Sequence, residues 1–312
     1  MKNIINISIL FYHNLLIIKT MDYTIFKAFA KLNLSLNILP YREQNGYYQI
    51  RFINAQLMLH DTIKVTLSRD GVIHINASSI DGEGNIAYTA AKLLFSHFGI
   101  RRGIILDIEK RIPIRAGLGG GSSDAAAVLN GLVQLFGLGI SRNELLGLAK
   151  NLGMDTCYCV IGGLCKVGPT GENVEQLPYR LPPIDILIAT PPVQKPSTAW
   201  AYSILHETEI GKQIQKYENL LQSLESGSID AIVENLHNDF ELPIQRYYPV
   251  TQLIRERMLK FGAITSHLAG SGLSVFGMFT EKEALQRAHM SLEMEHFNCI
   301  STRLRPWPEP AK

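Results

Sequence analysis

Residues 113–127 read Pro113-Ile-Arg-Ala-Gly-Leu-Gly-Gly-Gly-Ser-Ser-Asp-Ala-Ala-Ala127, and their types suit the binding of phosphate. Glycine lets a backbone approach a ligand closely and adopt positive φ. Serine at a helix start leaves N–H groups pointing outward, where the helix dipole adds partial positive charge. Four glycines and two serines in this order make a phosphate cradle. The segment is no P-loop, because no Gly-Lys-Ser/Thr closes it. Nor is it the dinucleotide fingerprint, whose glycines are spaced rather than contiguous. A tight turn that merely starts a packed helix would explain one or two of these glycines, but not four followed by two serines and three alanines.

Such a cradle must be held by a strand entering it and a helix leaving it. Ile104-Ile-Leu-Asp-Ile-Glu-Lys110 reads as the strand and residues 125–136 as the helix. Upstream, residues 24–39 alternate: Ala28, Ala30, Leu32, Leu34, Leu36 and Ile38 on one face, Lys31, Asn33, Ser35 and Asn37 on the other. Asn45-Gly46 signals a turn, Tyr47 to Leu59 a second strand, and residues 61–78 a hairpin around Arg69-Asp70-Gly71. Residues 85–98 predict an amphipathic helix with Ile86, Ala90, Leu93 and Leu94 on its apolar side. Ser141-Arg-Asn-Glu144 is a capping box opening a helix that stops near Gly153, which leaves Asp155 just past a helix end. A carboxylate gains nothing from the dipole there, so Asp155 invites a functional explanation, with a solvated loop aspartate as the alternative.

Gly162-Gly163 starts a strand through Val167, and a run of prolines (Pro178, Pro182, Pro183, Pro191, Pro192, Pro196) marks a change of organisation. The expected division is a possible extension over residues 1–20, an N-terminal domain over 21–180 and a C-terminal domain over 181–312. The second half carries helical patterns, then Leu268-Ala-Gly-Ser-Gly-Leu-Ser-Val-Phe-Gly-Met-Phe279, a glycine turn entering a strand. A helix from Glu281 and a strand from Asn298 follow, giving an α+β fold in two lobes.

Composition narrows the function classes. The 312 residues are 46% hydrophobic and 19% charged, ordinary for a globular protein. A net charge of +2 predicts neither a nucleic-acid nor a membrane-surface partner. Cys157, Cys159, Cys165 and Cys299 have no paired C-x-x-C spacing; three lie close enough for a metal site, but free buried thiols in a reducing cytosol are expected. Residues 1–20 are apolar in patches broken by His13 and Asn14, too short for a membrane span and lacking a clear cleavage site. Met21 reads as a plausible mature start, and the preceding residues as an upstream start or a dispensable extension.

Three separated segments converge on one family. Ala28-Phe-Ala-Lys-Leu-Asn-Leu34, the glycine–serine loop and Ala269-Gly-Ser-Gly272 resemble the three motifs of the GHMP small-molecule kinases. Gly46-Tyr47, Leu152-Gly-Met-Asp155, Asn238-Asp-Phe-Glu241 and Ser271-Gly-Leu-Ser-Val-Phe-Gly277 continue the resemblance in order from about residue 26 to about 305. The resemblance implies a ribosomal-S5-domain-2-like N-terminal lobe, a ferredoxin-like C-terminal lobe and an active site in the cleft. It also implies transfer of the γ-phosphate of ATP, with Mg²⁺, to a small alcohol. The closest match implies a cytidyl diphosphate methylerythritol substrate, phosphorylated on its 2-hydroxyl, in the non-mevalonate isoprenoid precursor pathway of bacteria and plastids. The expected compartment is the bacterial cytoplasm, or the stroma in a plastid-bearing source.

The family's roles carry over residue by residue. Asp155 is similar to the catalytic base and Lys31 to its partner, a coherent pair because a lysine keeps a nearby carboxylate ionised and can orient the hydroxyl. Read without the family, Lys31 is a surface lysine on a half-buried strand. ATP falls to Pro113, Gly117, Leu118, Gly119, Gly120, Gly121, Ser122 and Ser123, with Lys110 and Asn85 at the base or ribose. Without a lysine finishing the loop, more of the phosphate charge must be met by Mg²⁺ and the helix N-terminus, and no side chain is assigned to the metal. Substrate falls to Asn33, Tyr47, Tyr48, Thr198 and Tyr202, the tyrosines offering a flat platform to a base. Gly270, Ser271 and Gly272 form a second glycine loop, expected to steady substrate phosphates or the first loop, or else a tight turn before a strand.

Several positions depart from the family pattern. Tyr48 stands where a histidine usually hydrogen-bonds the cytosine, and Asn45 replaces an aspartate. Thr156-Cys157-Tyr158 replaces Val-Pro-Phe, and Leu273 is bulkier than the usual small residue. Two rival readings stand beside the first. One is a family kinase acting on homoserine, mevalonate or a sugar; the other is a nucleotide binder that has lost catalysis.

Overall fold

The computed structural model describes residues 8–12, 15–19, 23–42, 48–77 and 84–307. By its internal contacts the chain divides into two compact units, each discontinuous in sequence. Unit 1 comprises Met1–Ala30, Leu59–Ile114 and Gly119–Gly162; unit 2 comprises Lys31–Met58, Arg115–Leu118 and Gly163–Lys312.

Unit 1 opens with a hairpin, β1 (Ser8–Tyr12) and β2 (Leu15–Lys19), whose second strand pairs antiparallel with the start of β3 (Tyr23–Arg42). β3 and its neighbour β4 (Tyr48–Ser68) are long enough to contribute a part to each unit. The C-terminal part of β4 pairs antiparallel with β6 (Gly103–Glu109), and β6 in turn pairs parallel with β5 (Ile73–Ala77). Residues 61–77 are therefore not the hairpin expected from Arg69-Asp70-Gly71. β6 lies between β4 and β5. Asp70 folds the turn on itself, accepting from the Val72 N–H and the Ser68 hydroxyl. Gly103 fits into it because a Cβ there would fall 2.3 Å from Asp70 Oδ1.

Four helices complete unit 1: α1 (Ile86–Phe98), α2 (Gly120–Phe136), α3 (Arg142–Lys150) and α4 (Thr156–Ile161). α2 begins at Gly120, five residues before the start expected from the alanine run, so the glycines and serines belong to its first turn. It packs against α1 and α4. Its mid-helix Gly131 lets the Phe26 ring lie flush, where a Cβ would meet the ring at 2.4 Å. Ser141 caps α3 as its motif predicts, accepting from Glu144 N–H, while the Glu144 carboxylate pairs with His97.

Unit 2 holds the remaining parts of β3 and β4, then β7 (Cys165–Gly168) and β8 (Asn173–Gln176), an antiparallel pair of which β7 lies on β4. A separate antiparallel sheet has the order β11-β12-β9-β13, from β9 (Asp185–Thr190), β11 (Thr265–Leu268), β12 (Val275–Phe279) and β13 (Asn298–Arg303). Its central strands β9 and β12 are apolar along nearly their whole length and buried. α9 (Val250–Lys260) and α10 (Lys282–Met294) pack on this sheet. α5 (Thr198–Ser203), α6 (Ile214–Ser226), α7 (Ile229–Glu234), the two-residue β10 (His237–Asn238) and α8 (Glu241–Tyr247) connect β9 to α9. Among the described residues no helix is long and apolar enough to cross a membrane.

The alternation in β3 misleads in one respect. Lys31, Asn33, Ser35 and Asn37 do alternate with apolar residues, yet all four are buried. Buried polar groups need partners. Here Asn33 Nδ2 donates to Asn54 Oδ1 at 2.6 Å, Ser35 to Asn37 Oδ1 at 2.8 Å, and Asn37 to the Gln213 carbonyl. The Asp239 carboxylate, buried beside β10, accepts from the Ile38 N–H at 2.6 Å.

Candidate active site

The glycine–serine loop is built in two parts. In unit 1, Gly119 takes the left-handed conformation (φ +68°) and no side chain caps α2. The Ser123 N–H makes the first helical bond, to Gly119 O at 2.8 Å. The N–H groups of Gly120, Gly121 and Ser122 thus precede the first intrahelically bonded donor, Ser123 N–H, and sit at the positive end of a 17-residue helix dipole. Added Cβ atoms at Gly120 and Gly121 would fall 3.1 and 3.3 Å from Ile112 and Ile86, so the bare backbone is part of the fit. This is a donor set suited to phosphate oxygens. The Ser123 hydroxyl donates to Phe29 O at 2.7 Å, so both its donors are committed within the unit, while Ser122 is only half-buried.

A buried cluster fixes this helix start to the end of β6. Asp61, fully buried, accepts from the N–H groups of Arg111 (2.5 Å) and Ile112 (2.8 Å) through one oxygen, and from Lys110 Nζ (2.5 Å) through the other. Lys110 Nζ also reaches Asp124 Oδ2 in α2 at 2.6 Å. Burial pushes the Asp124 carboxyl up to about 7; Lys110 opposes that rise and the Asp61 charge adds to it. Burial alone would lower the Lys110 ammonium, yet the two carboxylates hold it above its ordinary value. Asp124 Oδ1 is buried without a hydrogen-bond partner. Lys110, assigned to the nucleotide from sequence, is thus the link in a carboxylate–ammonium–carboxylate bridge. Asn85, assigned likewise, caps α1 by accepting from the Ala87 N–H at 2.9 Å. Pro113, half-buried, follows Ile112 into the loop.

Asp155 lies past the end of α3, as the sequence suggested, and there occupies the N-cap of α4. α3 stops at Lys150, and residues 156–161 form a further short helix that sequence reading missed. The Asp155 side chain does not cap it. Thr156, Cys157 and Tyr158, which depart from the family's Val-Pro-Phe, make its buried first turn.

In unit 2 the two glycine loops meet backbone to backbone. Gly117 has φ +82°, and a Cβ on it would lie 1.9 Å from Ala269 O; one on Gly270 (φ +54°) would lie 2.6 Å from Gly117 O and 3.3 Å from Asn33 Oδ1. Asn238 secures the second loop by donating to both Leu268 O (2.8 Å) and Gly270 O (2.7 Å). The first loop is tied to β3 by the Lys31 N–H, which donates to Leu118 O at 3.0 Å. Lys31, only 4% exposed, directs its ammonium to Asn33 Oδ1 at 2.6 Å, and Asn54 holds Asn33 from β4. Ser271 is half-buried at the turn, between buried Gly270 and Gly272. Leu273 is buried as well.

The positions assigned to a base are mixed. Tyr47, with Asn45 and Gly46, lies outside the described residues. Tyr48 is buried; its ring lies under the Arg42 guanidinium, 3.9 Å from centroid to Cζ, and its hydroxyl accepts from Arg42 Nη2 at 2.5 Å. Tyr202 packs edge-on against Phe240, and Thr198 is exposed at the start of α5.

Sequence reading missed Asp61, Asn54, Arg115 and Lys195, and gave Asp124 no role. Arg115 and Asp124 stood inside the quoted motif and could have been marked; the other three lie in stretches with no chemical pattern of their own. Among the described residues no group of three or more His, Cys, Asp or Glu side chains could hold a metal ion. Mg²⁺ held by one or two oxygen ligands and the phosphates of a nucleotide needs no such group.

Comparison with known proteins places this geometry. Residues 85–163 match the GHMP kinases N terminal domain and residues 220–292 the GHMP kinases C terminal. The chain is 38% identical over 268 residues, 85% of its own length and 91% of the relative's, to 4-diphosphocytidyl-2-C-methyl-D-erythritol kinase of Caldicellulosiruptor saccharolyticus. It is 38% identical over 275 residues to the protein of the same name from Shouchella clausii, covering 87% of this chain and 91% of that one. A crystal structure of 4-(cytidine 5'-diphospho)-2C-methyl-D-erythritol kinase superposes with a TM-score of 0.76 at 30% identity, over 90% of this chain and 98% of the other. The phosphate-suited helix start, the paired glycine loops and these matches over most of its length agree: the chain belongs to the GHMP kinase family of small-molecule kinases.

Proposed function

We propose that the protein transfers the γ-phosphate of ATP to the 2-hydroxyl of 4-diphosphocytidyl-2-C-methyl-D-erythritol, a step in making isoprenoid precursors without mevalonate. The observation that carries this reading is the 38% identity over 91% of a relative bearing that activity in its name. In the reaction the hydroxyl oxygen bonds to the γ-phosphorus, the bond from that phosphorus to the bridging oxygen breaks, and ADP leaves with the electron pair. Phosphoryl transfer asks for positioning and charge stabilisation more than for covalent chemistry.

In this reading the N–H groups of Gly120, Gly121 and Ser122 receive ATP phosphate oxygens, with Gly117, Leu118 and Gly119 shaping the approach and Pro113 leading into it. The Asp61–Lys110–Asp124 bridge keeps that helix start in place. Mg²⁺ bound with ATP would supply further neutralisation of phosphate charge. Asp155 accepts the proton of the 2-hydroxyl. Lys31, held by Asn33, offsets charge on the phosphoryl group in flight. Gly270, Ser271 and Gly272 brace the first loop through its backbone, as their approach to Gly117 supports. Tyr47, Tyr48, Thr198 and Tyr202 serve the cytidyl end, where Tyr48 presents its hydroxyl already bound to Arg42. Four free cysteines and a small-molecule substrate support a reducing cytoplasm, or a plastid stroma, as its compartment.

The test is ADP release by the purified protein with Mg-ATP and 4-diphosphocytidyl-2-C-methyl-D-erythritol, with mevalonate and homoserine alongside. Turnover confined to the cytidyl compound is expected. Turnover only with another alcohol would move the substrate, and silence with all three would refute the kinase reading.

A further inference from the structure

Lys195 is the most unusual charge in unit 2. It is only 5% exposed, and its ammonium donates to the carbonyls of Gly272 and Arg115, one from each glycine loop. Among the described residues no carboxylate stands among its partners. The charges it senses are Lys31 and Arg115, both positive, and burial followed by these two cations pushes it down to about 8. A buried charge is expensive unless it is paired. Here an ammonium is buried beside two more cations at the point where two backbones touch. Arg115 adds a second oddity, a non-glycine residue in the left-handed region (φ +57°) with an exposed side chain. Neutral carbonyls satisfy the geometry of the Lys195 donors but supply no counter-charge.

We propose that Lys195 and Arg115 form an oxyanion site at the meeting of the two glycine loops, which takes a phosphate group of one of the two nucleotide substrates. Its chemistry, phosphate against a buried ammonium, stands on the burial of Lys195 and its two carbonyl bonds, to which Arg115 adds a neighbouring positive charge; that the phosphate belongs to a nucleotide substrate rests on the kinase reading above. Two sources share this chemistry, the triphosphate of ATP and the diphosphate of the cytidyl acceptor. Carbonyl bonds fix the Lys195 head group before the anion arrives, so little side-chain freedom is lost on binding.

The experiment titrates inorganic pyrophosphate into the full-length protein by thermal shift and calorimetry, comparing the unmodified chain with Lys195→Met and Arg115→Gln. Loss of a charge-assisted contact should weaken pyrophosphate about ten- to hundredfold in Lys195→Met, and less in Arg115→Gln. Without ligand, Lys195→Met should melt at the same or a higher temperature, because it removes an uncompensated buried charge. A lysine that merely tied the loops together would instead lower that temperature and leave pyrophosphate affinity unchanged, which would overturn the proposal. If Lys195→Met fails to fold, the exposed Arg115→Gln decides: unchanged affinity overturns the proposal and weakened affinity supports it. Kinetics then separate the sources. A raised KM for the acceptor alone assigns its diphosphate, and a raised KM for ATP alone assigns the triphosphate. No turnover by the unmodified chain would sink the kinase reading while the pyrophosphate titration still judged this site.

Discussion

Gly117→Ala tests whether the two glycine loops must touch. Two costs can be separated. The first is conformational: at φ +82° an alanine pays roughly 1–2 kcal/mol that glycine does not. The second is steric. The new Cβ would lie 1.9 Å from Ala269 O, whereas a carbon–oxygen contact needs about 3.3 Å, so the loops must part by about 1.4 Å. Backbone leaves no flexible side chain to absorb that. A misplacement of about 1 Å at a reacting group costs on the order of a hundredfold in rate, about 2.7 kcal/mol of transition-state stabilisation. The control is Gly99→Ala, at the C-terminal end of α1, with φ +64° and nothing within 4 Å of the added carbon. It carries the conformational cost without the steric one. Urea unfolding and steady-state ADP release on both variants make the comparison. Expected is a stability loss of roughly 1–2 kcal/mol in Gly99→Ala and a larger one in Gly117→Ala, where the clash adds about 1–3 kcal/mol, with kcat/KM down about a hundredfold in Gly117→Ala only. A Gly117→Ala enzyme within threefold of normal kcat/KM, or an equal kinetic loss in Gly99→Ala, would refute the reasoning.

Asp155→Asn removes the proposed base and should lower kcat by about two to four orders of magnitude while calorimetry finds ATP binding largely intact; near-normal turnover would send the search for a base elsewhere. Asp61→Ala leaves Lys110 with one carboxylate and orphans the Arg111 and Ile112 N–H groups, so denaturant titration should give a loss of about 3–5 kcal/mol. The Asp124 carboxyl is raised from 3.8 to about 7, so the folded state holds a proton that the unfolded chain has lost. Stability from this group is thus full below about pH 4 and declines as pH rises towards about 7. Asp124→Asn should cancel that decline, seen as a difference between variant and unmodified denaturation midpoints that grows across this range; a constant difference would contradict it.

Much of the site was legible because local chemistry wrote it. Contiguous glycines, serines and alanines at 117–127 can only be a close-approach turn feeding a well-packed helix, and Ser141 and Asn85 announce helix starts by their capping chemistry. The alternation from Ala28 to Ile38 is a strand in any context, and the motif order named the family. Other features were settled by partners distant in sequence. Nothing local says that β6 inserts between β4 and β5, since a turn at Asp70 serves a hairpin equally well. The polar face of β3 looks solvent-exposed until Asn54 and Gln213 arrive to satisfy it. Asp61 and Lys195 sit in stretches without a chemical pattern. One acquires meaning from Lys110 and Asp124, the other from the carbonyls of Arg115 and Gly272. Sequence determined helix starts, strand alternation and a glycine-rich helix start suited to phosphate, because these depend on neighbours in the chain. Tertiary structure decided burial, and with it which charges are costly, because the cost of a charge depends on the medium and counter-charges that folding places around it.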